Sequence, residues 1–240
     1  MRFKAILRDT YDNIKKSQLS SQGHYLSPET ELEIATLFNQ LYYDAHILDP
    51  RWADTRFLGT PVLQSVSDLW VYQEIIYERR PDVIVECGTH AGGCALYLAS
   101  LCELIHNGTV LSIDTTEMQG RPHHERITYL TGSSTSDNIL KNVKESTAKA
   151  DRVMVLLDSD HKKDHVLQEM RNYCQFVTEA DYMIVEDTNI NGHPVLPEFG
   201  PGPMEAVQIF LAENDSFIID VIREKFFLTF NPRGYLKKIK

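Results

Sequence analysis

From Pro81 onward, short apolar, largely β-branched runs alternate with stretches in which apolar positions recur every three or four residues. The runs predict strands at Val83–Glu86, Thr109–Asp114, Ile127–Thr131, Val153–Asp158 and Tyr182–Asp187. The stretches between them predict helices around Gly93–Ile105, Ser136–Ala148 and His165–Thr178. Strands that lack polar alternation and are separated by helices are buried on both faces. The expected fold class is therefore α/β, a doubly wound, mostly parallel, Rossmann-like sheet. After Asp187 the run TNINGHPVLPEFGPGP reads as a loop, and a helix is expected at Met204–Glu213. Two last runs, Phe217–Ile222 and Phe226–Phe230, flank Arg223-Glu224-Lys225. So short a gap admits only a tight hairpin, so this pair is expected to be antiparallel.

The first 80 residues have a different texture. Phe3, Ile6, Leu7, Tyr11 and Ile14 recur at helical spacing. Ser27, Pro28 and Glu29 read as an N-cap, a proline at the first helical position and an acid in the first turn. The helix they open carries an apolar stripe of Leu32, Ala35, Leu37, Phe38, Leu41 and Tyr42. Asp49 to Asp68 is rich in turn residues, and a further helix is expected from Leu69 to Arg79. The chain thus divides into an N-terminal helical cap with its connecting loop, 1–80, and an α/β core, 81–240.

Composition narrows the function classes. Of 240 residues, 42% are hydrophobic and 24% charged, an ordinary globular balance. A net charge of −10 lacks the basic footprint of a phosphate-backbone binder, so no nucleic-acid partner is expected. No apolar run reaches membrane-spanning length, and the charged start MRFKAILRDTYDNIKKSQ has no signal-peptide block. No membrane partner is expected, and the cytoplasm is the expected compartment. Cys87, Cys94, Cys102 and Cys174 form no CxxC pair and read as reduced thiols in a packed interior. His123, His124 and His193 read as ordinary loop histidines, and the basic end, Arg233 to Lys240, is expected to stay solvated.

The chemistry sits where an open α/β sheet binds ligands, beyond the carboxyl ends of its strands. Glu86, Asp114, Asp158, Glu186 and Asp187 all fall there. In VIVECGTHAGG, Gly88, Gly92 and Gly93 permit a sharp turn and close approach of a ligand. The spacing is not GxGxxG, and Glu86 just before the turn would repel a pyrophosphate. Asp114, at the next strand end, suits ribose hydroxyls. Adenosine with a positive centre describes S-adenosylmethionine. The expected cofactor-binding set is Glu86, Gly88, Thr89, Gly92, Gly93, Asp114 and Ser134. Asp158, Glu186 and Asp187 would converge as hard oxygen ligands, which suits Mg²⁺. His161, three residues after Asp158, is placed to act as general base. The catalytic pair is thus His161 and Asp158. A structural strand–turn–helix with surface-paired acids is the plainer alternative.

LGTPVLQSVSDLWVYQEIIYERRPDVIVECGTHAGG, LLDSDH and IVEDTN together resemble the cephalosporin hydroxylase and rhamnosyl O-methyltransferase family over roughly residues 50–232. The resemblance implies the class I methyltransferase fold, similar to the catechol-type O-methyltransferases. It implies a cofactor site at Glu86, Gly88 and Asp114, and a Mg²⁺ site at Asp158, Glu186 and Asp187. The catechol-type enzymes carry a lysine base where this chain has His161, so His161 and water both remain candidates for the base. In related small methyltransferases N-terminal helices cap the active site or join subunits, so a homo-oligomer is expected. The expected partner is a small-molecule hydroxyl acceptor, a vicinal diol on a sugar or secondary metabolite. An oxygenase is the runner-up, although non-haem iron usually takes two histidines and one carboxylate. A non-catalytic cofactor-binding subunit is the third reading.

Overall fold

The computed structural model describes residues 25–44 and 52–240. The expected first helix, Phe3 to Ile14, lies outside them. Helix α1 (Pro28–Tyr43) opens as expected, with the Thr30 amide donating to the Ser27 hydroxyl. After a 3₁₀ turn at Trp52–Asp54, β1 (Arg56–Phe57) and β2 (Thr60–Pro61) form a small antiparallel ribbon. The core then follows as α2 (Val66–Arg79), β3 (Val83–Cys87), α3 (Gly93–Leu104), β4 (Thr109–Asp114) and β5 (Ile127–Thr131). It continues as α4 (Asp137–Thr147), β6 (Val153–Leu157), α5 (Lys163–Tyr173), β7 (Tyr182–Val185), α6 (Pro203–Glu213), β8 (Phe217–Ile219) and β9 (Tyr235–Lys238).

Seven strands make one sheet in the order β5-β4-β3-β6-β7-β9-β8. The first five in that order run parallel, and β9 is antiparallel to both of its neighbours. Alternate residues of each central strand feed opposite faces. Val85, Val155 and Met183 join one apolar cluster with Val166, Met170 and Phe210 of α5 and α6. Ile84, Met154 and Ile184 join the other with Tyr72, Ile75 and Leu98 of α2 and α3. Both faces are therefore covered, which is why these strands read as continuous apolar runs. The strand order reverses at β3, where β4 lies on one side and β6 on the other, and this crevice faces the candidate site.

The structure corrects the C-terminal reading. β8 ends at Ile219, a 3₁₀ turn follows at Val221–Glu224, and Phe226–Phe230 is not a strand. Phe227 has φ +61, which breaks an extended run. Thr229 and Phe230 are held instead by the Asp68 carboxylate. The antiparallel partner of β8 is β9, from the tail expected to be solvated. Tyr235 and Leu236 are wholly buried there, and Lys238 Nζ donates to the carbonyls of Cys174 and Val177.

Two other expectations change. β6 and β7 stop at Leu157 and Val185, which frees the acids beyond them from the ladder. The apolar stripe of α1 is not core: Leu32, Phe38 and Leu41 are exposed. α1 is tied down through Asn39, whose amide donates to Phe227 O and whose carbonyl accepts from the Thr229 amide. The four cysteines are free thiols. Among the described residues no helix is long and apolar enough to cross a membrane.

Candidate active site

A cleft of about 580 Å³ opens at the carboxyl ends of β3, β4, β5 and β6. Its floor is set by the contact between Gly88 and Asp158. Gly88 has φ +106, and a Cβ there would lie 1.8 Å from the Asp158 carbonyl oxygen. Only glycine fits this crossing of the β3 and β6 ends. Gly93 is constrained similarly, since its Cβ would meet Pro61 O at 2.0 Å. Gly92, at φ +83, starts α3.

Asp158, His161 and Asp187 form a tight group on one side of this floor, each offering a ligand atom within 4.8 Å of the others. His161 Nε2 lies 3.3 Å from Asp158 Oδ1 and 3.0 Å from Asp187 Oδ2. Burial alone would lower the His161 pKa. Hydrogen bonds to Asp158 and Asp187 outweigh it and push the pKa up to about 11. The imidazole is therefore a cation lodged between two carboxylates. Asp187 is presented from a left-handed residue, φ +53, pinned by its own amide donating 3.0 Å to Asn231 Oδ1.

Glu186 lies behind this group, almost wholly buried. Gln64 joins the two: its Nε2 donates to Asp158 Oδ2 at 3.0 Å and also to Glu186 Oε2. The other Glu186 oxygen has no partner among the described residues. Burial, with Asp158 and Asp187 adding repulsion, raises the Glu186 pKa, and burial raises that of Asp158 to about 6. Crowded carboxylates, an orphaned buried oxygen and a cation already drawn between two of them fit a hard divalent ion.

On the other side of the floor the cleft is lined by Gly88, Ile113, Asp114, Gly132, Ser133 and Ser134. Asp114 Oδ2 accepts from the His90 amide at 2.8 Å and from Arg121 Nη2 at 2.9 Å. Its Oδ1 accepts from the Thr116 amide at 2.9 Å. Of roughly four lone-pair sites on a carboxylate, three are used, so one remains for a ligand hydroxyl. Glu86 is buried beneath the turn, its Oε2 accepting from Ser112 Oγ and its Oε1 unpartnered. Burial raises its pKa to about 7. An unsatisfied acid below a glycine turn fits a cationic ligand and opposes a phosphate.

Of the expected site residues, Gly88, Asp114, Ser134, Asp158, His161 and Asp187 line this one cleft. Glu86, Thr89, Gly92, Gly93 and Glu186 stand behind it. Thr89 is buried and shares a hydroxyl contact of 2.6 Å with Ser112. Gln64 escaped the sequence reading, being a lone amide in a turn-rich segment. So did His165, whose Nε2 meets Ser134 Oγ at 3.3 Å and Ser159 Oγ at 3.1 Å. A hydrogen bond to buried Glu169 raises the His165 pKa against the pull of burial. Their i, i+4 spacing on α5 was the only available signal.

A family model for rhamnosyl O-methyltransferase/CmcI matches residues 50–239. A rhamnosyl O-methyltransferase of Mycobacterium tuberculosis is 37% identical over 211 residues, spanning 85% of this chain and 84% of its own. That of Mycobacterium leprae is 36% identical, spanning 85% and 90%. An apo structure of CmcI superposes with a TM-score of 0.63 at 20% identity, over 82% of this chain and 80% of that one. A CmcI structure with Mg and SAM gives 0.63 at 19%, over 82% and 81%. At such identity the structural likeness speaks for the fold.

Proposed function

The chain belongs to the rhamnosyl O-methyltransferase/CmcI family, and we propose that it is an S-adenosylmethionine-dependent O-methyltransferase that uses Mg²⁺ and methylates a vicinal diol of a small molecule. A sugar is the acceptor to which its relatives' name points. The observation that carries this reading is the position of Asp158. Its backbone closes on Gly88 at the cofactor half of the cleft, while its side chain belongs to the carboxylate group. A methyl donor and a metal-held acceptor would thus sit on two sides of one residue.

When bound, S-adenosylmethionine would supply the methyl group and Mg²⁺ would lower the pKa of an acceptor hydroxyl. This chain's residues do the rest. Asp158 and Asp187, with Glu186 held to Asp158 through Gln64, would be the oxygen donors for the ion. Gly88 leaves the backbone open to the cofactor, and Asp114 Oδ1 retains a lone pair for a ribose hydroxyl. His161 Nε2 is the nitrogen nearest both acids. While both carboxylates hold its proton it is a donor; it would become a base only after losing that proton to solvent, which neutralising the carboxylates would favour, and otherwise water would take the acceptor's proton. Alignment and fixed charges then account for much of the rate. The group offers one histidine and two carboxylates, which departs from the two-histidine set usual for an oxygenase.

The test is calorimetry with S-adenosylmethionine and with Mg²⁺, on the wild type and on Asp158→Asn, beside a methylation assay on a vicinal-diol glycoside. Asp158→Asn is expected to lose Mg²⁺-stimulated turnover and metal affinity while it keeps cofactor binding. Wild-type metal affinity in that variant would reject the site.

A further inference from the structure

Beyond the carboxylate group the cleft changes character. Tyr43, at the end of α1, and Trp52, in the 3₁₀ turn after it, form its wall there, both partly exposed. The rings lie 5.4 Å apart, and Trp52 Nε1 donates 3.0 Å to the Tyr43 carbonyl. Behind them stands Phe230, buried, edge-on to Trp52 at 5.0 Å and to Tyr43 at 5.5 Å. Phe230 is itself fixed by its amide donating 2.8 Å to the buried Asp68 carboxylate. The aromatic wall therefore rests on an anchored backing. Tyr43 and Trp52 line the same cleft as Asp158 and Asp187.

We propose that Tyr43 and Trp52 are acceptor-binding residues that stack the C–H face of a sugar ring while its vicinal hydroxyls reach Asp158 and Asp187. The inference rests on the methyltransferase reading and names its acceptor class and the residues that select it. The class follows from what lines the cleft: the rings of Tyr43 and Trp52 together with the carboxylates of Asp158 and Asp187 match a ring with one apolar face and polar edges. The segment before the α/β core thereby completes the acceptor site.

The chain has two tryptophans, and Trp70 is exposed on α2, so Trp70→Phe leaves Trp52 as the sole indole reporter. In that background, with Mg²⁺ and S-adenosylhomocysteine present, Trp52 emission is followed as methyl α-rhamnoside or catechol is added. A saturable change with the rhamnoside is expected. Tyr43→Leu is expected to weaken rhamnoside binding about tenfold with cofactor affinity unchanged, and Tyr43→Phe to retain it. No saturable change with the rhamnoside, equal binding by Tyr43→Leu, or binding of catechol alone would overturn the proposal. Rhamnoside bound beside Trp52 but never methylated when S-adenosylmethionine is supplied would support this wall and overturn the methyl-transfer reading.

Discussion

Gln64 is a single buried amide whose one nitrogen serves two acids, Asp158 and Glu186. Among the described residues no other partner holds the Glu186 side chain, since its second oxygen is unpaired there. Gln64→Leu keeps the volume and removes the donor. Residues that orient metal ligands typically contribute about 10–100-fold in affinity. Gln64→Leu is therefore expected to weaken Mg²⁺ binding by roughly that factor in a calorimetric titration, with S-adenosylhomocysteine affinity unchanged. Undiminished Mg²⁺ affinity would mean that Gln64 only fills space. The strand-end acids were legible because a carboxylate closing an apolar run is conspicuous. Gln64 was not, because its meaning arises only when the loop before α2 folds over two strand ends far away in sequence.

At the scale of elements, Asp68 does for the C-terminal segment what hydrogen-bonded ladders do for the strands. Lodged in the first turn of α2, it accepts from Thr229 Oγ1 at 2.6 Å, Phe230 N at 2.8 Å and Tyr235 OH at 2.7 Å. Nearby, Asn231 spans Tyr72 OH and the Asp187 amide. Asp68→Ala would leave three buried donors without their acceptor, at about 1–3 kcal/mol each. The expected loss is at least about 3 kcal/mol, read as a lower urea midpoint. A shift within experimental error would show that water or neighbours replace the carboxylate. This arrangement also explains the misread hairpin. Phe226–Phe230 has strand composition, but several of its polar groups are satisfied by Asn39 of α1 and by Ser67 and Asp68 of α2, which no local pattern records. The five parallel strands were legible because burial on both faces is written directly into residue type. β9 was hidden because its Lys238 reaches the carbonyls of Cys174 and Val177.

For the molecule as a whole, buried acids set how stability depends on pH. Burial raises the Asp68 pKa to about 6 and that of Glu86 to about 7. In the unfolded chain such groups titrate near 4. Between those values the folded protein binds more protons than the unfolded one, so stability falls as pH rises. At about 1.4 kcal/mol per unit, each acid contributes on the order of 3 kcal/mol, fully present below about pH 4 and lost by about pH 7. His161 has the same sign: held up to about 11 by its two carboxylates against burial, it extends the decline above about pH 6.5. Glu78, lowered by its bond to Arg223, and Glu205, lowered by amide and side-chain donors against burial, have the opposite sign and lose their contribution as pH falls through their folded values. The metal-free protein is therefore expected to be most stable in acidic solution, near about pH 4, and to lose stability from there toward neutrality. Ionised carboxylates are what Mg²⁺ needs, so its stabilising effect is expected to grow as the pH rises. Urea midpoints from about pH 4 to about pH 8, with and without Mg²⁺, measure both trends. Glu86→Gln, which cannot titrate, is expected to flatten the metal-free profile between about pH 4 and pH 7. A wild-type profile that rises through that interval without metal would mean that Glu86 is ionised in the folded protein, with a compensating cation beside it.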